Sequence, residues 1–219
     1  MSSSTSKKPP IKRHYDSSRR KEQALQTRHQ IVEAARQLFL DRGYAGATIE
    51  AIAQEADVAV ETVYATFGNK RAILSRLIEV SLVGDEKPIP LLEREGPQSV
   101  MKETDQHRQV ELFAEGIYEI MSRMTPIFEI MRAAAKTETE IAAMYENLLN
   151  NRVQGLIAFI RALLRNGPLR DGVTAEEAAE TVWTLTSADV ITLMMNNRGW
   201  SGEKYKQWLV DVLTRVLLP

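Results

Sequence analysis

The sequence predicts an all-α chain of about nine helices. Apolar residues return at helical spacing of three and four through most of its length, while strand-type alternation is absent. Helix-start and helix-stop residues recur between those stripes. With 219 residues, 44% of them hydrophobic, the chain can build one small domain and one larger one. No run of about 18 apolar residues is present, so no membrane span is expected. The absence of cysteine removes disulfides, thiolate zinc sites and thiol switches from consideration.

Residues 1–17, M-S-S-S-T-S-K-K-P-P-I-K-R-H-Y-D-S, are poor in apolar side chains and are expected to form a disordered basic arm. Two readings of it stand: an arm that reaches phosphates or a minor groove, or an ordinary solubilising tail. No apolar stretch follows its charges, so no signal peptide is expected. Ile31, Ala34, Ala35, Leu38 and Phe39 form the first stripe, on a helix from roughly Ser18 to Arg42 that Gly43 ends. Thr48 is placed to cap a short helix carrying Ile49, Ile52, Ala53 and Ala56. Asp57 tolerates a left-handed backbone, which allows a sharp turn without glycine. Val60, Val63, Tyr64 and Phe67 make the next short helix, over about 59–66. Gly68 stops it, and Asn69 caps a helix over 70–83 that turns Ile73, Leu74, Leu77, Ile78 and Leu82 inward. Phe39, Ile52, Val58, Val63 and Phe67 are the expected core of this unit, residues 18–83.

Residues 84–98 read as a Pro/Gly-bearing connector with a short turn at Leu91-Leu92, opening a second domain over 84–219. Thr125-Pro126 is expected to start a helix, since proline suits the first helical position. Thr137 to Glu140 and Thr174 to Glu177 have the capping-box pattern. Gly167-Pro168 and Asn197-Arg198-Gly199 read as helix ends, and Ser201 as the start of the last helix. The final two helices, about 175–197 and 202–218, carry broad apolar faces that must be buried.

The run from Thr48 to Leu74 has the order of a helix-turn-helix, whose second helix enters a DNA major groove. A generic helical bundle would show the same stripes. The longer run I-V-E-A-A-R-Q-L-F-L-D-R-G-Y-A-G-A-T-I-E-A-I-A-Q-E-A-D-V-A-V-E-T-V-Y-A-T-F-G-N-K-R-A-I-L narrows the choice. It resembles the N-terminal domain of the tetracycline-repressor (TetR) family, over about a quarter of the chain, in the A-A-x-x-L-F before G-Y, the T-x-x-x-I-A, the A-x-V, the T-x-Y and the F-x-x-K. It departs from that pattern at Asp57, where glycine is usual, and at Ala59, where the usual serine would cap the recognition helix. Glu61 stands near a usual glycine or alanine, and Ala65 and Thr66 near a usual bulky aromatic or histidine.

The resemblance implies a transcriptional regulator, by the family's commoner mode a repressor, that binds a palindromic double-stranded operator as a cytoplasmic homodimer. Thr62 and Tyr64 would offer hydroxyls to phosphates, Thr48 would do so from the preceding helix start, and Lys70 and Arg28 would add charge. Val60, Glu61, Thr62 and Ala65 are the candidates to face base edges, with methyls for thymine and a carboxylate for the cytosine amino group, and Thr66 is counted among the DNA-binding residues beside them. Tyr64 could equally be a half-buried core aromatic, and Glu61 a solvated helix residue. Charge supports the DNA reading. In residues 1–30 eight basic residues face two acidic ones, a net of +6, so against a whole-chain charge of −1 the remainder carries −7.

The same resemblance implies that the last two helices make a dimer interface, with Trp183, Leu185, Thr186, Met194, Trp208, Leu209, Val212 and Val216 as candidates. Two recognition helices one DNA turn apart, roughly 34–36 Å, read a palindrome that one cannot. Helices between about 105 and 166 should enclose a cavity for a small, largely apolar effector. Its candidate lining is Phe113, Tyr118, Met121, Met124, Phe128, Met131, Arg132, Met144, Tyr145 and Phe159, each of which could instead be ordinary core. No cofactor or metal is expected. Only three histidines occur, and no phosphate loop, H-E-x-x-H or G-x-S-x-G is present, so catalysis is not expected. The alternative within DNA binding is a sequence-neutral or architectural protein.

Overall fold

A computed structural model describes residues 17–219, so the expected arm falls outside the described residues apart from its last residue, Ser17, which already lies in the first helix. Among the described residues there are ten α-helices and no strand. The first four are α1 (Ser17–Gly46), α2 (Ile49–Glu55), α3 (Val60–Phe67) and α4 (Lys70–Val83). Then follow α5 (Glu95–Lys102), α6 (Gln106–Ala134), α7 (Thr139–Asn166), α8 (Ala175–Leu185), α9 (Ala188–Ile191) and α10 (Gly202–Leu217).

The N-terminal unit forms as its sequence dictates. Gly43, at φ 68° and ψ 172°, breaks the helical path of α1, and its missing Cβ makes that geometry cheap. The Thr48 hydroxyl accepts from the Ala51 N–H at 3.1 Å, and the Asn69 side chain accepts from the Ala72 N–H at 2.9 Å. Asp57 takes φ 53°, the left-handed turn expected of it. Ile31, Ala35, Phe39, Ile52, Val63, Ile73, Leu74 and Leu77 are fully buried, and Phe67 nearly so. Val58 and Leu82 are only half-buried. Ser81, on the inner face of α4, is buried as well.

In the second domain α6 is the central mast, packed by α1, α4, α5, α7, α9 and α10. Its core is marked by Phe113 stacked on Phe159 of α7 at 3.9 Å between centroids, beside buried Met121, Met124 and Met131. Several boundaries differ from those expected. Leu91–Glu93 is a 3-10 turn, and the connector continues into α5, a short helix its Pro and Gly content hides. Pro126 does not start a helix but lies inside α6. The buried face of Met121, Met124, Ile127 and Phe128 carries the helix through the proline, and the Thr125 hydroxyl donates to the Met121 carbonyl at 2.7 Å. The box at Thr137 does not form: its hydroxyl turns back to the Ala134 carbonyl at 3.4 Å, and α7 starts at Thr139 without a side-chain cap. The box at Thr174 and Glu177 does form.

The expected helix over 175–197 is broken at Thr186. Its φ of −101° and ψ of 14° leave the helical region, and the Ser187 hydroxyl caps α9 by accepting from the Val190 N–H at 3.3 Å. Residues Thr192–Asn197 then widen to π-type spacing. Ser201 caps α10 as expected, accepting from the Lys204 N–H at 3.2 Å.

Candidate nucleic-acid interface and effector cavity

The turn at Asp57 presents α3 on the surface beside the N-terminal turns of α1. Glu61, Tyr64 and Ala65 are exposed, Val60, Thr62 and Thr66 are half-buried, and Thr48 is exposed at the start of α2. Tyr64 is 49% exposed, so it is not a core aromatic. The Thr66 hydroxyl is turned onto its own helix, donating to the Thr62 carbonyl at 2.7 Å. Ala59 precedes α3 with no side-chain cap, and its carbonyl takes the Thr62 N–H at 2.9 Å. A shallow groove runs between α1 and α3, walled by Arg20, Lys21, Gln23, Arg28, Thr62 and Thr66. In the sequence Arg20 and Lys21 are legible only as part of a charge excess. The long α1 puts them on the rim of the recognition helix.

Two of the expected cationic contacts sit elsewhere than on a free surface. Lys70 turns inward: its Nζ donates to the Tyr44 carbonyl at 2.7 Å and lies 4.2 Å from the Tyr44 ring centroid. Burial lowers its pKa from the ordinary lysine value, with Glu138 opposing. The guanidinium of Arg28 lies 4.9 Å over the Phe67 ring, which ties α1 to the end of α3.

The second domain holds a cavity of about 800 Å³. Leu82 and Val83 of α4, the connector, Val100 and Met101 of α5, and the facing sides of α6 and α7 enclose it. Of the expected lining residues, Phe113, Met121, Met124, Phe128 and Phe159 do line it, whereas Tyr118, Met131, Arg132, Met144 and Tyr145 do not. Tyr118 leans on α10, its ring 6.1 Å from that of Tyr205. Arg132 faces outward and pairs with Asp189 at 2.6 Å, which raises its pKa. Tyr145 packs edge-on to Phe128 at 6.2 Å, from outside the cavity.

Three charged arrangements at the cavity escape a reading of the sequence because their partners are remote along the chain. Arg94 clamps Asp85 through two bonds of 2.8 and 2.9 Å and closes the connector over the cavity. That side-chain bond, with a further one from the Lys87 N–H, holds the Asp85 carboxyl well below the usual range. Arg123 of α6 reaches the end of α4, where its Nε donates to the Ser81 carbonyl at 2.8 Å. A Cβ on Gly84, at φ 85°, would lie 3.2 Å from its guanidinium, so both backbone and space call for glycine there. Arg152 of α7 is largely enclosed, and burial lowers its pKa to about 10. One terminal nitrogen donates to the Trp183 carbonyl at 3.0 Å and the Thr186 hydroxyl at 2.5 Å.

The expected dimer face is divided. Thr186 and Leu209 are fully buried inside the single chain, so they are not available to a second copy. Trp183, Leu185, Met194, Trp208, Val212 and Val216 are half-buried or less accessible, and Leu193 is 56% exposed. Among the described residues no helix is long and apolar enough to cross a membrane, and no cluster of metal-ligating side chains occurs.

Residues 31–77 match the family model of "Bacterial regulatory proteins, tetR family". Over 63 residues, 29% of this chain, the sequence is 43% identical to the HTH-type transcriptional regulator HbdR of Aromatoleum sp. (strain CIB). Over 61 residues, 28% of the chain, it is 41% identical to the HTH-type transcriptional regulator TtgR of Pseudomonas putida. These matches span only 28% and 29% of the relatives' own lengths. The similarity of fold extends much further. NalD of Pseudomonas aeruginosa, the secondary repressor of the MexAB-OprM multidrug efflux pump, superposes with a TM-score of 0.66 at 21% identity, over 90% of this chain and 98% of NalD. SmeT, solved with triclosan, gives 0.63 at 19% identity, over 88% and 92%.

Proposed function

We propose that the chain, whose residues 31–77 match the model of the tetR family of bacterial regulatory proteins, is a sequence-specific transcriptional repressor of that kind. It binds an inverted-repeat operator as a homodimer and is released by a small, largely apolar molecule held in the cavity. The observation that carries this reading is the presentation of Glu61, Tyr64 and Ala65 on an exposed helix beside a groove lined by Arg20 and Lys21. Glu61 and Ala65 address base edges, while the Tyr64 hydroxyl and the flanking cations address phosphate. Such a protein works in the cytoplasm, where the DNA is, and needs no enzymatic activity.

Dimerisation uses the half-buried apolar residues of α8 and α10, with exposed Leu193 after α9. The coupling element is α4. It starts at the DNA-binding unit, ends at the cavity with Leu82 and Val83, and is held there by Arg123. A ligand that favours a shifted α4 moves the two recognition helices off their half-site spacing. By linkage the operator weakens ligand binding by the same factor.

Selection of bound duplexes from a random library, with the purified full chain at near-physiological salt, tests the reading. An enriched inverted repeat is the expected result, with a preference of about 10³ or more over random DNA. Binding that is salt-sensitive but without enrichment would replace it with a sequence-neutral DNA-binding protein.

A further inference from the structure

The charged residues around the cavity are not equivalent. Lys87, Glu93, Glu95 and Glu119 are exposed at its rim, and Asp85 is held by Arg94. Arg123 is engaged by the Ser81 carbonyl. Arg152 is different. It stands on the α7 wall between Leu148 and Leu156, is largely enclosed, and pairs with no carboxylate among the described residues. Its Nε is buried with no hydrogen-bond acceptor, and so is the indole N–H of Trp183, whose ring lies 5.8 Å from the guanidinium. Buried donors of this kind are costly to leave unmatched, and an uncompensated buried charge more so. Even with its pKa lowered to about 10, Arg152 is charged at neutral pH. Asn151 and Gln154 flank it on α7, and the apolar part of the wall includes Phe113, Ile117, Met121, Met124 and Phe159.

We infer that the cavity takes an amphiphile with an anionic head, whose head pairs with Arg152 while its apolar body lies along the Phe113–Phe159 wall. This rests on the proposal that the cavity holds the effector, and it adds the chemical class. A planar guanidinium with a free donor edge matches a carboxylate in geometry as well as charge. The structural duty of Arg152, capping the end of α8 through Trp183 and Thr186, uses one terminal nitrogen and leaves the other terminal nitrogen for a ligand.

The test uses the full chain loaded with the neutral apolar dye Nile red. Dodecanoate, dodecan-1-ol and dodecyltrimethylammonium are compared as displacing agents below their micelle concentrations. Dodecanoate is expected to displace the dye at about tenfold lower concentration than the alcohol or more, as a hydrogen bond to a charged group implies, and the cation is expected to be weakest. Arg152→Met should still bind Nile red but lose the preference, and Arg152→Lys should keep part of it. If the carboxylate and the alcohol are equivalent, or the preference survives in Arg152→Met, the headgroup assignment is wrong while the cavity stands. If none of the three displaces the dye, or the dye does not bind, the effector-cavity reading falls and this inference with it. Should Arg152→Met fail to fold, the three-way comparison on the unaltered protein still decides.

Discussion

Arg123 and Ser81 are joined across the boundary of the two domains: the Arg123 Nε donates to the Ser81 carbonyl at 2.8 Å, in the last turn of α4. A cation near a helix C-terminus also complements the partial negative charge of the helix end. Since Arg123 lines the cavity, anything that displaces the α6 wall pulls on the end of α4. Arg123→Ala should therefore leave operator affinity without ligand within about threefold, yet lose half or more of a coupling that is typically about 1–3 kcal/mol. Fluorescence anisotropy of labelled operator, with and without saturating ligand, measures both. Ser81→Ala is the control. It keeps the carbonyl and removes a buried hydroxyl with no partner, so coupling should persist while stability holds or rises. A loss of coupling in Ser81→Ala would point to the side chain instead of the bond.

The turn between α2 and α3 combines two unfavourable choices. Asp57 sits at φ 53°, and Ala59 leaves α3 without a side-chain cap. Asp57→Gly removes a left-handed penalty that can reach about 1 kcal/mol, though glycine's own entropy offsets part of it. Ala59→Ser supplies a cap worth about 1 kcal/mol. The double variant is expected to raise Tm by a few degrees, as differential scanning calorimetry would show. An unchanged or lowered Tm would mean that the turn is already relaxed.

Tyr64 and Glu61 share the exposed face of α3 but should act on different parts of a duplex. Tyr64→Phe removes a neutral hydroxyl and should weaken operator and random DNA alike, by severalfold, without changing the salt slope. Glu61→Gln should change preference at particular base pairs. If both variants bind all duplexes with equal losses, Glu61 does not read bases. Lys70 is expected to contribute to stability more than to DNA contact, because its ammonium is committed to Tyr44.

The N-terminal unit is legible in the sequence because each of its decisions is local. Thr48, Asp57, Gly68 and Asn69 act within three or four residues of themselves, and the stripes between them have helical period. The second domain is less so. Pro126 reads as a helix start until the buried face of α6 is known, and only tertiary packing supplies that face. Thr186 reads as interface surface, but it is drawn inward by Arg152, 34 residues away. The cavity residues are half found, since an apolar stripe on α6 does not say which members face α7, α10 or empty space. Arg94, Arg123 and Arg152 go unnoticed because an arginine's partner in another element leaves no periodic trace.

The Asp85–Arg94 pair gives the connector a pH dependence of definite sign. The Arg94 bond and the Lys87 N–H depress the folded-state pKa of Asp85 below its unfolded value of about 3.9. Its contribution is therefore complete above that unfolded value and is lost as pH falls through the folded pKa. Asp85→Asn should lower Tm slightly at pH 7, and the gap to the unaltered protein should close on acidification below about pH 4. Asp85 is solvent-accessible and Arg94 partly so, and raised salt should narrow the gap as well. A gap that is constant across pH would show that the bond does not depend on the Asp85 charge.

Gly155 offers a way to separate ligand binding from every other property. It lies inside α7 on the cavity wall, and a Cβ placed there meets nothing within 4 Å. Any side chain at this position other than proline gains helix propensity over glycine, up to about 1 kcal/mol, and a large one fills space that the ligand needs. Gly155→Leu should thus be as stable as the unaltered chain or more so, bind operator with the same affinity, and lose about tenfold or more in Nile red binding. Its operator complex should then resist release by ligand, since a filled cavity leaves the ligand no state to favour. Thermal unfolding, dye titration and operator anisotropy report the three properties separately. If dye binding and release both survive, the ligand does not occupy the space beside Gly155, and the α6–α7 cavity is not where the effector acts.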